Sequence, residues 1–317
     1  MDLRPRIRMR AMRWIAAVAL AACLSLPCLS QQPASAASSQ PDPPATVPTV
    51  SLIAVLNDRK GHPAPDASIT KDELQVEDAG KVAQVLEVRR ADAVPLRFAL
   101  VLDLSRSGLP SRQAYVQFAL AVVDLLRRTL RSGLDHAVVV GFRAEVSTAW
   151  PLDPDQLSRQ LENADFSGGT ALHDALVFAC RDLAAAGVGE ARRILLVISD
   201  GEDTASKHTL EEVKRQALRG RVAIYSVNLE WDHTPHGTRT LRELATTTGG
   251  RAFKPYNMKD LLHIVDELAN DLRSHHLLVF RVAEPRLAGE MHKVKISLGK
   301  GSKLQIRAPA AYYRPPN

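Results

Sequence analysis

The chain has 317 residues, a formal net charge of +6, 45% apolar residues and 24% charged residues. That length suits one large domain or two modest ones, and the composition is that of an ordinary globular protein, neither disordered nor fibrous. Residues 1–36 hold five arginines and one acid, so the remainder is close to neutral; nucleic-acid binding needs a basic face, and the basic balance comes largely from the leader.

The arginine-rich start runs into WIAAVALAACLSLPCLS. This apolar stretch is shorter than the roughly 20 residues of a membrane span and is interrupted by Pro27. It reads as a signal peptide over residues 1–36, with Ala34-Ser35-Ala36 as the favoured processing site. A second site competes, because Leu20-Ala21-Ala22-Cys23 resembles a bacterial lipobox that would lipidate Cys23. An uncleaved anchor is the third reading. Each places the folded part outside the cytoplasm, in the periplasm or beyond, and a membrane enters only through Cys23 or an uncleaved signal. Residues 37–49 are rich in Pro, Ala and Ser and form a linker. Of three cysteines, two lie in the leader, so no internal disulfide is expected. Cys180 shares a helical face with Leu172, Leu176 and Leu183, as a small core residue does.

Residues 50–94 form the next segment. VSLIAVL alternates as a half-buried strand, and LQVED and KVAQVLEV flank a hairpin turn at Ala79-Gly80. Two or three strands are expected here, too few to bury a core alone. Residues 95–274 alternate strands with helices. The strands are RFALVLD, HAVVVGF, RILLVISD and VAIYSVNL. Helical periodicity covers residues 112–130, 170–186, 210–218, 238–247 and 258–273. EVSTAWPLD and GRAFKP are short edge-strand candidates. The near-continuous apolar strands predict an α/β fold, a mainly parallel Rossmann-like sheet with helices on both faces. Residues 275–317 return to β patterning in LLVFRVA, KVKISL, KLQIRA and AAYYRPPN. They are expected to pack with residues 50–94 as a small β-sandwich.

In an open parallel sheet, ligands bind beyond the carboxyl ends of the strands. Three polar clusters fall there or in adjoining loops: Asp103-Leu104-Ser105-Arg106-Ser107, SGGTALHDAL with Thr170, and ISDGEDT with Asp200. Asp103, Ser105, Ser107, Thr170 and Asp200 are all hard oxygen donors. Such a set points to Mg²⁺, Mn²⁺ or Ca²⁺ and away from zinc. With three neutral hydroxyls, two carboxylates only just balance a divalent ion, which then keeps positions open for an outside oxygen.

The order Asp103-x-Ser105-x-Ser107, then Thr170, then Asp200-Gly201 resembles the metal-ion-dependent adhesion site of von Willebrand factor type A domains. The resemblance covers about residues 95–273, and the whole layout is similar to exported bacterial proteins of that kind. It implies a sheet of about six strands with one antiparallel edge. It also implies that Ser105 and Ser107 bind the ion directly, Thr170 directly or through water, and the two aspartates mainly through water. The partner implied is a protein offering a carboxylate. Arg106 departs from the family, which usually has Gly there; a guanidinium at that position weakens cation binding or attracts an acidic partner.

Other residues read more plainly. Thr170 and Ser111 also suit helix capping. Asp203 reads as a solvated loop acid, and His233 and His236 as polar side chains of an exposed loop. His173 belongs to the helix after Thr170, and His275-His276 open a strand. Arg127, Arg128 and Arg131 suit a helix C-terminus. No enzyme is expected. Ser105 stands where a haloacid-dehalogenase-type phosphatase needs its second Asp, and no GxSxG, GxxxxGK[ST] or GxGxxG motif exists. The competing classes are a metal-independent structural module and a hydrolase using the same ion to activate water.

Overall fold

The computed structural model describes residues 48–105, 112–150, 152–186, 190–228, 235–283 and 289–315. The leader, most of the linker, Cys23, Arg106, Ser107, Ser111 and His233 lie outside them. Among the described residues, no helix is long and apolar enough to cross a membrane.

The central sheet is built from β5 (Leu96–Asp103), β6 (His136–Phe142), β7 (Val146–Trp150), β8 (Arg192–Ile198), β9 (Val222–Val227) and β10 (Ala252–Phe253). Its order is β10-β9-β8-β5-β6-β7. Every neighbouring pair is parallel except β6 with β7, which is antiparallel. β5 shows why the sheet must be covered twice. Phe98, Leu100 and Leu102 face a core completed by α1 (Arg112–Thr129), α2 (Pro154–Asn163) and α6 (Met258–Arg273). The alternate residues Ala99 and Val101 face a second core completed by α3 (Leu172–Ala185), α4 (Leu210–Gly220) and α5 (Pro235–Thr248). A strand buried on both faces gains from apolar residues at every position, and so reads as a run without alternation.

The remaining strands are β1 (Thr49–Asn57), β2 (Leu74–Asp78), β3 (Lys81–Ala83), β4 (Val85–Arg90), β11 (His275–Arg281), β12 (Met291–Leu298), β13 (Gln305–Arg307) and β14 (Ala311–Tyr313). They form two antiparallel sheets, β13-β1-β11-β4 and β14-β12-β2-β3. Val50, Leu52 and Phe280 of the first pack against Val76, Ala83, Val294 and Tyr312 of the second. This is the expected sandwich, and its two halves are inseparable: β1 lies between β11 and β13. The turn Ala79-Gly80 has positive φ at both residues, 49° and 81°, the geometry that tight hairpins need.

Four differences from the sequence reading have clear causes. The segment before residue 95 has four strands, because the chain changes sheet between Ala83 and Val85. The helix α2 was not expected; Asp153 caps it by accepting the Gln156 N–H at 2.9 Å, Pro154 is its first residue, and only Leu157 and Leu161 are buried. β8 stops at Ile198, so Asp200 is in the loop. The helix α3 starts at Leu172, two residues after Thr170.

Beneath the sheet, a buried polar knot ties the sandwich to the α/β unit. The Tyr225 hydroxyl is 3.3 Å from His275 Nε2. Arg307 Nη2 donates to Asp271 Oδ2 at 2.6 Å, and its guanidinium lies 5.5 Å from the Tyr225 ring centre.

Candidate metal centre

The chain leaves β5 toward β6 on one side and later returns to β8 on the other. β5 and β8 are therefore the neighbours at which the winding reverses. Crevices form at such switch points, at the carboxyl ends of the strands. Leu102 pairs with Ile198, so Asp103 and Ser199 emerge side by side.

Both candidate aspartates sit in the same local turn. Asp103 Oδ1 accepts the Ser105 N–H at 2.9 Å, and Asp200 Oδ1 accepts the Glu202 N–H at 2.9 Å. An Asp that bonds the N–H two residues on bends the chain sharply without a helix or strand. The other Asp103 oxygen accepts the Ser199 hydroxyl at 2.6 Å, and that same hydroxyl oxygen accepts the Gly201 N–H at 3.0 Å. Ser199 thus joins the two strand ends. It was not singled out in the sequence; its position at the first loop residue after a buried strand is the signal that was available.

Gly201 is required by its surroundings. Its φ is 85°, and a Cβ there would run into the carbonyl of Gly237 in the first turn of α5. Glu202 Oε1 accepts the Gly237 N–H at 3.1 Å, and Asn228 Nδ2 donates to the Asp200 carbonyl at 3.4 Å. The Asp200 loop is therefore docked on α5 and β9.

Thr170 is held by the same loop. Its N–H donates to Thr204 Oγ1 at 2.9 Å, and its carbonyl accepts the N–H groups of Thr204 and Ala205 at 2.8 and 3.0 Å. Thr170 is not the cap of α3. The capping position is Ala171, which has no side chain able to cap. The first turn is satisfied instead across some thirty residues: Asp203 Oδ1 accepts the His173 N–H at 3.1 Å, and Ser206 Oγ accepts the Asp174 N–H at 3.0 Å. Asp203 is thus a helix-capping acceptor, with His173 Nδ1 3.5 Å from its carboxylate, and not a solvated loop acid. His236 is exposed and 3.4 Å from Glu202.

Asp103, Ser105, Thr170 and Asp200 are all buried, at 4%, 1%, 2% and 4% exposure. They come from three separate segments, with Asp103 linked to the Asp200 loop through Ser199 and Thr170 linked to it through Thr204; Ser107 belongs to the same motif and lies outside the described residues. Burial pushes the Asp103 carboxyl up to about 6, against hydrogen bonds from Ser199 and Ser105, and the charge of Asp200 adds to the rise. Among the described residues, no cationic side chain is among the groups acting on it. Tyr115 in α1 lies below; burial, with a smaller contribution from Asp103, holds its hydroxyl well above the ordinary range, and that hydroxyl has no hydrogen-bond partner among the described residues. Among the described residues, no three His, Cys, Asp or Glu side chains cluster as metal ligands. Any cation held here depends on hydroxyl oxygens.

A six-stranded sheet with one antiparallel edge, and an Asp-x-Ser turn facing an Asp-Gly turn across its switch point, settle the fold. The fold is like that of a von Willebrand factor type A domain. No family model matches the sequence, and no curated protein matches it. Among solved structures, the chain is similar to a von Willebrand factor type A protein from Catenulispora acidiphila, with 11% identity and TM-score 0.45 over 84% of this chain and 74% of that one. An aerotolerance-related membrane protein from Bacteroides fragilis, carrying multiple mutations to serine, gives 16% identity and TM-score 0.42 over 56% and 98%. A pilus adhesin from Lactobacillus rhamnosus GG, in its open conformation, gives 8% identity and TM-score 0.45 over 76% and 48%. These likenesses concern fold alone.

Proposed function

We propose that this von Willebrand factor type A domain is an exported interaction module that recognises an acidic group on a protein partner through one divalent cation. Asp103, Ser105, Ser107, Thr170 and Asp200 would hold the ion. The observation that carries the reading is the burial of two neighbouring carboxylates, Asp103 and Asp200, at the ends of adjacent strands. Asp103 is buried beside Asp200, its pKa lies near 6, and hydrogen bonds from neutral serines are what hold it. A buried carboxylate that no cationic side chain among the described residues neutralises is costly, and a hard divalent cation is the counter-charge that an all-oxygen set accepts. When bound, such an ion supplies Lewis acidity toward an incoming carboxylate. The protein's own residues supply the rest. Ser199 keeps the two strand ends together, the Asp200 loop fixes Thr170, and Gly201 lets that loop lie against α5. No bond has to be broken, so no nucleophile or general base is required.

Mn²⁺ binding followed by electron paramagnetic resonance tests the reading, with and without a glutamate-containing peptide. The expected result is a saturable Mn²⁺ site whose spectrum changes when the peptide is added, and no such change in Asp200→Asn. A spectrum indifferent to the peptide at every concentration would contradict carboxylate recognition.

A further inference from the structure

The opposite end of the same sheet carries a second cluster of charge. Arg193 is the second residue of β8, and Asp200 lies seven residues further on, roughly 20 Å away at the usual rise of a strand. Arg219 is in the last turn of α4. Arg221 follows that helix in a left-handed conformation, φ 53°, directly before β9. These three arginines line a cavity of about 340 Å³ together with Ala184, Tyr313 and Pro315. Among the described residues, no acidic residue lines it.

Part of this charge has a structural use. Arg193 Nε donates to the Leu183 carbonyl at 3.0 Å, which satisfies the end of α3. Arg219 and Arg221 have no such use. Among the described residues, neither side chain makes a hydrogen bond or an ion pair. The Arg219 guanidinium lies on the Tyr313 ring, 4.7 Å from its centre. A guanidinium stacked this way keeps its N–H edge available for planar, bidentate recognition. Arg193 is pushed below the usual arginine range by burial, and further by Arg221 and Arg97. Glu190 lies in an adjoining cavity that Arg193 and Arg221 also line, and its charge attracts Arg221. It is already engaged, accepting the Ser51 hydroxyl at 2.8 Å and pairing with Arg89 at 3.1 Å.

We infer that the cavity formed by Arg193, Arg219, Arg221 and Tyr313 binds a multiply charged oxyanion of the phosphate type. Three guanidiniums lining one cavity match several oxygens sharing two or more negative charges, which a single carboxylate does not offer. The volume falls in the lower range of small-ligand pockets, so there is room for an ester substituent beyond the anion itself. The site is independent of the candidate metal centre and of the function proposed for it.

The test is calorimetric titration of the purified chain in chelator, so that no divalent ion can recruit phosphate elsewhere. Inorganic phosphate, glycerol phosphate and acetate are the probes. Saturable binding of either phosphate probe, at least several-fold tighter than acetate, is expected. Glycerol phosphate binding more tightly than inorganic phosphate identifies an esterified ligand; the reverse order identifies the free ion. The Arg219→Gln/Arg221→Gln double variant should weaken binding by about tenfold or more, while Ser105→Ala leaves it unchanged. Both arginines are exposed, so the double variant should keep the wild-type circular dichroism; Tyr313→Leu, which removes only the stacking surface, gives a second, milder loss. No saturable phosphate binding, equal affinity for acetate, or full affinity in the double variant would each overturn the inference.

Discussion

Replacing Asp103 by Asn should make the metal-free protein more stable. The ordinary value for this carboxyl is 3.8, and the folded protein raises it to about 6. A folded-state pKa above the unfolded one means that folding favours the protonated acid. The penalty is therefore fully present above about pH 6 and disappears as pH falls toward 4. A rise of about two units corresponds to roughly 3 kcal/mol at pH 7. Asn is neutral and can still accept the Ser105 N–H, but its amide faces Ser199 with the wrong polarity, so about 1–2 kcal/mol is the realistic gain. For a chain of this length that is a rise of a few degrees in Tm. The assay is thermal unfolding by circular dichroism in chelator, at pH 7.5 and pH 5. The variant should melt higher than wild type at pH 7.5, and the difference should shrink at pH 5. A variant that melts lower at both pH values would refute the reasoning, because Asp103 would then be a structural carboxylate.

Three further outcomes follow from the same physics. Arg307→Leu strands the wholly buried Asp271 carboxylate; removing one member of a buried pair costs about 3–5 kcal/mol, a fall of roughly 6–10 °C in Tm, and an unchanged melting curve would show that the knot beneath the sheet is incidental. Burial pushes Asp135 up, but the Arg131 guanidinium and the N–H groups of Leu96 and Arg131 outweigh it and hold the carboxyl at about 2; its stabilisation is complete above about pH 4 and is lost toward pH 2, so wild type should lose about 2 kcal/mol more than Asp135→Asn over that range, as read from urea unfolding. Cys180 is buried in α3 with its thiol pushed up to about 12, so a thiol reagent should leave it unmodified in the native protein and label it in urea; rapid native labelling would place it elsewhere than the core.

What was legible in the sequence was whatever depends on local pattern. The strand HAVVVGF is β6 to the residue, and the periodicity over 258–273 is α6, because burial on one helix face or both strand faces writes itself into neighbouring positions. The pairing of the two outer β segments was also accessible, since neither could bury a core alone. What escaped was non-local. The cap of α3 comes from Asp203 and Ser206, some thirty residues away in the chain, whereas local pattern points to Thr170. α2 buries only two leucines, and its strongest signal, Asp153-Pro154, reads equally as a turn. Ser199 escaped for the same reason. A serine after a strand is ordinary until the neighbouring strand is known to end in a carboxylate.

The most direct test of the central claim is calorimetric titration of Mg²⁺ and Mn²⁺ into metal-free protein, with Ser105→Ala alongside. One saturable site per chain, lost in the variant, is the result this account predicts. Heats indistinguishable from dilution in wild type, or equal binding in wild type and Ser105→Ala, would contradict a cation site at the ends of β5 and β8.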